Sequence, residues 1–118
     1  MRVVVQRVVR AAVERLDGEP AAVHIGAGAL LLVGFCATDD DATLEWMAEK
    51  VLGLRIFADA AGAQNRSVVE AGGALLVVPN FTLYGDARKG RRPSFGAAAP
   101  PELAAARFAA FVARLRRG

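Results

Sequence analysis

Groups that move protons near neutral pH are scarce in this sequence. Its 118 residues include one histidine, one cysteine, one tyrosine and one tryptophan. A single cysteine, Cys36, forms no internal disulfide, which fits a reducing compartment, and it follows an apolar run without a basic neighbour, as core filler would. The one histidine, His24, falls on an edge-strand pattern with nothing catalytic around it, so a Ser/His/Asp-type triad is not supported. No His, Cys, Asp or Glu grouping has metal-ligand spacing, and no metal or other cofactor is expected. Every apolar run is far too short to span a bilayer, and the N-terminus enters a strand pattern directly, without a signal-peptide cleavage region. The chain therefore reads as cytoplasmic.

What is present is a globular composition, 54% hydrophobic and 23% charged, at a length that suits one domain over residues 1–118. The net charge of +3 is unevenly spread. Residues 1–86 hold 7 Lys/Arg against 11 Asp/Glu, net −4, whereas residues 87–118 hold 8 Lys/Arg against Glu102 alone, net +7. Such a basic C-terminal third suits an anionic partner, of which a nucleic-acid backbone is the most obvious; the alternative is a solvated surface.

The β-branched run from residue 2 to about 15 predicts a long strand, and Asp17-Gly18 a tight hairpin turn into a short return strand, Ala21 to Ile25. Gly26 and Gly28 are turn residues and no dinucleotide loop, because an apolar strand, not a helix, follows them. That strand, Ala29 to Phe35, is apolar on both faces and predicts a covered central position. Asp39, Asp40 and Asp41 supply a helix start, and Leu44, Met47, Ala48 and Val51 recur at helical spacing, giving a helix to about Ile56. Trp46 lies off that stripe, where it meets either a neighbouring subunit or the monomer's own edge. Asp59 to Asn65 predicts a loop, and Ser67 to Gly73 a single helical turn at most. Pro100-Pro101-Glu102 opens a second amphipathic helix through Leu103, Phe108, Phe111, Val112 and Leu115. Strands with two interspersed helices place the chain in the α/β class.

The stretch with chemical potential is Leu75 to Phe95, LLVVPNFTLYGDARKGRRPSF. A buried strand breaks at Pro79 and delivers Asn80, Phe81, Thr82 and Tyr84, then Asp86, then four cations: Arg88, Lys89, Arg91 and Arg92. Amide, hydroxyl and aromatic groups beside a basic loop form a plausible site for a phosphate-bearing substrate. Thr82 can act as nucleophile or position an ester carbonyl or a water; the bland alternative is a hydroxyl tying down a turn. Asp86 anchors the basic loop or caps its turn.

The wording of this stretch resembles the FTLYxD…KGRRPSF signature of the D-aminoacyl-tRNA deacylases. The resemblance extends to Met1–Val8, the Gly-rich turn into Leu30–Gly34, the LRIF at Leu54–Phe57 and the AxPPE at Ala99–Glu102, all in the family's order. It implies a mixed, mainly antiparallel, barrel-like sheet with two helices, a homodimer, and hydrolysis of the ester linking a D-amino acid, or mischarged glycine, to tRNA. It further implies that Thr82 lies in the catalytic pocket for catalysis or positioning, that backbone N–H groups around it hold the ester carbonyl, those of Phe81 and Thr82 being retained, and that Phe81 packs there against the terminal nucleotide or aminoacyl group. The terminal ribose 2′-hydroxyl would supply part of the chemistry. Asn80, Arg7, Arg88, Lys89, Arg91 and Arg92 are the expected substrate-binding residues, Arg7 through a loop that a partner subunit inserts and the four loop cations through tRNA phosphates. The family's SQFTL reads Pro79-Asn80-Phe81-Thr82-Leu83 here, so a serine hydroxyl and one methylene of amide reach are missing. The family's closing segment, with its NxGPVT motif, has no counterpart before Gly118. The alternative reading is a catalytically impaired or truncated relative that acts only as an RNA-binding module.

Overall fold

The computed structural model describes residues 1–14 and 22–118; the Asp17-Gly18 turn and the start of the expected return strand lie outside them. The main sheet has three strands in the order β1-β4-β7, comprising β1 (Arg2–Val8), β4 (Gly28–Gly34) and β7 (Ala74–Pro79). β4 is central, antiparallel to β1 and parallel to β7. Two small antiparallel ladders accompany it: β2 (Ala11–Val13) with β3 (Val23–Ile25), and β5 (Phe57–Ala58) with β6 (Gln64–Arg66). Helices α1 (Asp41–Gly53) and α2 (Pro101–Arg117) pack against each other and against one face of the main sheet.

The long N-terminal strand is interrupted at Val9-Arg10, because β1 pairs with β4 whereas β2 pairs with β3, and a chain that changes partners must bend. The expected loop at 59–65 is instead the turn of the β5–β6 hairpin, closed by Asp59, whose carboxylate accepts the Ala61 and Ala63 N–H groups at 2.9 and 3.0 Å. Ser67 to Gly73 forms turns, with Ser67 and Glu70 capping each other's N–H.

Strand register sorts the sheet into two unlike faces. On the helix side Ala29, Leu31, Val33, Val3, Val5, Leu75 and Val77 meet Leu44, Ala48 and Val51 of α1 and Phe111 and Leu115 of α2. Alternation puts Val4, Leu30, Leu32, Leu76 and Val78 on the other face, where Val4 is 47% exposed and Leu30, Leu32 and Val78 are half-buried. The two glycines that end β4 are required by close approach. A Cβ at Gly28 would lie 1.8 Å from the Ala74 carbonyl oxygen, and one at Gly34 would lie 2.9 Å from the Asn80 carbonyl oxygen.

Asp40 caps α1, accepting from the Thr43 N–H at 2.9 Å and the Thr43 hydroxyl at 2.8 Å, with Asp41 in the first turn. Much of the C-terminal positive charge is used against this helix. Arg114 pairs with Glu45 (3.0 Å) and Asp41 (3.2 Å), and Arg107 approaches Asp41 at 3.9 Å. These two arginines pack α2 onto α1 and are not spare cations for an anionic partner. Trp46 is 59% exposed, with the Lys50 ammonium 6.0 Å from its ring.

Candidate active site and basic loop

The parallel ladder carries β7 to the edge of the sheet and releases it there. The Asn80 N–H still donates to the Val33 carbonyl at 2.7 Å, after which the chain enters a single 3-10 turn, Phe81–Tyr84. Sequence periodicity gave no sign of this turn. Its signal is Asn80, a side chain that favours capping. Asn80 is extended (φ −147°, ψ 97°), and its Oδ1 accepts both the Thr82 N–H at 3.0 Å and the Thr82 hydroxyl. The Gly85 N–H closes the turn on the Thr82 carbonyl at 2.9 Å.

The turn folds over Gly34, which is why that residue has no room for a side chain: Leu83 Cβ and Tyr84 Cδ2 would lie 3.2 and 3.3 Å from it. Tyr84 is buried beneath the turn. Burial, and then the neighbouring Cys36 thiol, push its phenol well above the ordinary value, so it stays neutral. Phe81 is 58% exposed and meets Phe95 edge to face, with centroids 5.2 Å apart. Phe95 is returned to that position by Asp86 and Ser94, which exchange two backbone hydrogen bonds of 2.7 Å.

Between those anchors projects the basic loop. Asp86 holds Arg88 with both carboxylate oxygens, Oδ1 to Nε at 2.9 Å and Oδ2 to Nη2 at 2.7 Å, and also accepts the Arg88 N–H at 3.0 Å. The Arg88 guanidinium keeps the Asp86 carboxyl below the usual carboxylate range. Asp86 fills both roles open to it, capping the turn through the Arg88 N–H and anchoring the loop through the Arg88 guanidinium. Lys89, Arg91 and Arg92 are exposed and make no ion pair among the described residues; Gly90, at φ +69°, provides the left-handed bend between them.

Asn80, Phe81 and Thr82 thus share one turn, with the loop cations beside it. Arg7 is elsewhere: it pairs with Ala29, at the other end of β1 from the turn, and donates to the Ile56 carbonyl at 2.7 Å. Five residues of extended strand separate it from Arg2, about 17 Å. Arg2 is the residue sequence reasoning missed. It pairs with Gly34, donates to the Leu83 carbonyl at 2.7 Å and lies 4.5 Å over the Tyr84 ring. Alternation along a short strand could not distinguish it from any other exposed cation.

Chemically, the turn offers less than two free backbone donors. The Thr82 N–H is occupied by Asn80, and the Thr82 hydroxyl donates its proton to the same oxygen. The hydroxyl therefore presents lone pairs to solvent as an acceptor, while the Phe81 N–H has no partner among the described residues. No histidine adjoins the turn: His24 sits on β3, exposed and paired with Ala12.

Residues 4–118 match the family described as D-Tyr-tRNA(Tyr) deacylase. A curated D-aminoacyl-tRNA deacylase of Desulfitobacterium hafniense (strain DSM 10664 / DCB-2) is 53% identical over 116 residues, and one of Chloroherpeton thalassium is 56% identical over 116. Each match covers 98% of this chain and 76% or 75% of the relative, so the chain spans about three-quarters of their length. A solved structure of c-Myc DNA Unwinding Element Binding Protein is 38% identical with a TM-score of 0.90, covering 99% of this chain and 77% of that one. A second solved structure, of a probable eukaryotic D-amino acid tRNA deacylase, has a TM-score of 0.85 over 98% of this chain and 66% of that one. At 21% identity it speaks for the fold.

Proposed function

Because the chain belongs to the D-Tyr-tRNA(Tyr) deacylase family, we propose that the exposed end of β7 is where it carries out that family's hydrolysis, cleaving the ester between a D-amino acid, or mischarged glycine, and the 3′ end of tRNA. The enzyme is a proofreading hydrolase. The observation that carries the site assignment is the capped turn Asn80–Tyr84, which holds Phe81 and Thr82 in solvent at the end of a rigid strand.

Water attacks the ester carbonyl, the bond to the ribose oxygen breaks, and free amino acid and tRNA result. The Phe81 N–H is the donor suited to the oxygen on which negative charge develops. Thr82, presenting acceptor lone pairs, suits the attacking water or the substrate ammonium, and Asn80 sets the hydroxyl's direction. With no imidazole beside the turn, the terminal ribose 2′-hydroxyl is the nearest proton carrier to the leaving oxygen. Phe81 and Phe95 offer an apolar wall for the terminal base or the aminoacyl side chain, and Lys89, Arg91 and Arg92 face the phosphates. The RNA-binding-only alternative is not favoured, since the curated relatives are named as deacylases.

A second copy of the chain suits the uncovered sheet face. Val4, Leu30, Leu32 and Val78 form an apolar surface adjoining the turn over Gly34, and a homodimer would cover it. Arg7, remote from the turn of its own chain and on the helix side of the sheet with Ala29, would meet substrate only through a loop that a second copy contributes. A cytoplasmic location accords with a tRNA substrate and a single free cysteine; no described helix is long and apolar enough to cross a membrane.

The test is hydrolysis of purified D-tyrosyl-tRNA, followed as released amino acid. Deacylation well above the spontaneous rate, and greatly reduced by Thr82→Ala, is expected. An ester lifetime unchanged by the protein would sink the reading. A monomer in sedimentation at micromolar concentration would remove the dimer from it.

A further inference from the structure

A concavity of roughly 400 Å³ lies on the flank of the turn, between the start of β1 and the basic loop. Arg2, Tyr84, Gly85, Asp86, Arg88 and Ala97 line it. Its size falls within the range of small-ligand sites, about 300–1,000 Å³, and its walls are built to hold charge in place. Arg2 is fixed from two directions, by its bond to the Leu83 carbonyl and by the face of Tyr84, which leaves Nε and Nη2 without partners among the described residues. Arg88 is held through Nε and Nη2 by Asp86, which leaves its Nη1. Two guanidinium groups thus keep unused donors, in an orientation set before any ligand arrives.

The charge balance identifies the ligand class. Two arginines and one aspartate leave the cavity with a single positive charge. That matches a phosphodiester, which carries one negative charge, better than a phosphate monoester or free inorganic phosphate, which approach two. The cavity also adjoins Gly85, whose N–H closes the Thr82 turn. A strand of nucleic acid whose last residue reaches Thr82 would pass an internal phosphate through it.

We propose that this cavity is a subsite for one internal phosphodiester of the tRNA acceptor end, and that Arg2 is its principal contact, with Arg88 opposite. The proposal rests on the deacylase reading and adds a contact outside the 88–92 cluster. Phosphate contacts of this kind position the nucleic acid without reading its bases.

The experiment measures binding of an uncharged acceptor-stem RNA hairpin across a salt series, together with deacylation of D-tyrosyl-tRNA, for wild type, Arg2→Gln, Arg2→Lys and Arg88→Gln. Removing one phosphate contact lowers the log–log salt slope by about 0.7–0.9. Arg2→Gln should show that loss, with KM raised by about ten-fold and kcat within about two-fold, and Arg2→Lys should restore most of the slope because charge is retained. Arg88→Gln, on an exposed loop where folding is not at stake, should lower the slope as well. Wild-type slopes in both glutamine variants would overturn the subsite while leaving the deacylase reading intact. A fall in kcat for Arg2→Gln at unchanged slope would also overturn it, reducing Arg2 to a brace for the turn. Slope losses in a protein that fails to deacylate D-tyrosyl-tRNA would uphold the subsite and sink the deacylase reading instead.

Discussion

Two loops leave the same end of the sheet, one after each of the parallel neighbours β4 and β7, and they spend their polar groups in opposite ways. The loop after β4 turns inward. Asp39, buried, binds the equally buried Met1 ammonium and accepts the Cys36 N–H at 2.8 Å, while Asp40 caps α1. The loop after β7 turns outward. Its caps, Asn80 and Asp86, serve only the loop itself, and Phe81, Thr82, Lys89, Arg91 and Arg92 are left to solvent. One loop stabilises the fold at the expense of any exposed chemistry; the other exposes chemistry on a scaffold that contributes little to stability. Strand direction does not separate the two, since both loops follow the C-terminal ends of parallel strands. What separates them is whether the acidic and amide side chains find buried partners.

The largest expected effect tests the inward loop. Asp39→Ala leaves a buried ammonium unpaired and should cost about 3–5 kcal/mol in denaturant unfolding, a large share of a typical domain's stability. If stability falls by less than 1 kcal/mol (roughly the median for an exposed pair), the contrast fails. Next, Thr82→Ala should slow deacylation about ten- to a thousand-fold, the loss of ~1.4–4 kcal/mol of transition-state stabilisation, with the unfolding midpoint nearly unmoved. A mutant that unfolds easily but turns over normally would make Thr82 a structural residue like Asp39.

Gly34→Ala couples the two regions. Its Cβ would press on the Asn80 carbonyl, so the turn must shift, and a loss of about 1–3 kcal/mol should accompany a disproportionate loss of activity. Equal losses in both readouts would mean that the position of the turn is not critical. The smallest effect is the pH response of Asp86. Its pKa is depressed by Arg88, so the anchoring of the loop is fully present above the ordinary carboxyl value of about 3.9 and is lost only as pH falls through the lowered value. The protection of the Arg88 amide, its exchange rate relative to the intrinsic rate at each pH, should therefore be unchanged from pH 7 down to about 4 and disappear below that. Protection already lost at pH 5 would show that Arg88 does not hold the carboxyl.

The β4 strand, both helices and the family motif were legible because each has a strong local cause: a doubly apolar run, 3.6-residue spacing behind the Asp40 cap or the Pro100-Pro101-Glu102 opening, and a stretch dense enough to identify its kin. The helix that begins behind Asp40 matches its sequence signal closely, although Leu54 and Arg55 fall past its end. Less legible were features decided by distant partners. The break at Val9-Arg10 depends on a change of ladder, and the β5–β6 hairpin on Asp59 bonding across its own turn. Within the site, no sequence pattern shows that Asn80 occupies the Thr82 N–H, or that Arg2 lies over Tyr84 from the far end of the chain. The charge count misled for Arg107 and Arg114, whose carboxylate partners are on α1.

The register of β4 with β7 also bears on when the site comes into being. Gly28 faces Ala74 across a parallel ladder, so pairing cannot begin until the chain between them, with all of α1 and the β5–β6 hairpin, has been drawn into a closed loop. Pairings of such long sequence separation carry a closure entropy that local helices do not, and they tend to form late. The Phe81–Tyr84 turn exists only because β7 ends against Val33 and folds over Gly34, so it inherits that timing. During refolding, helical signal should return first and deacylase activity last, which makes turnover a reporter of the final ordering step.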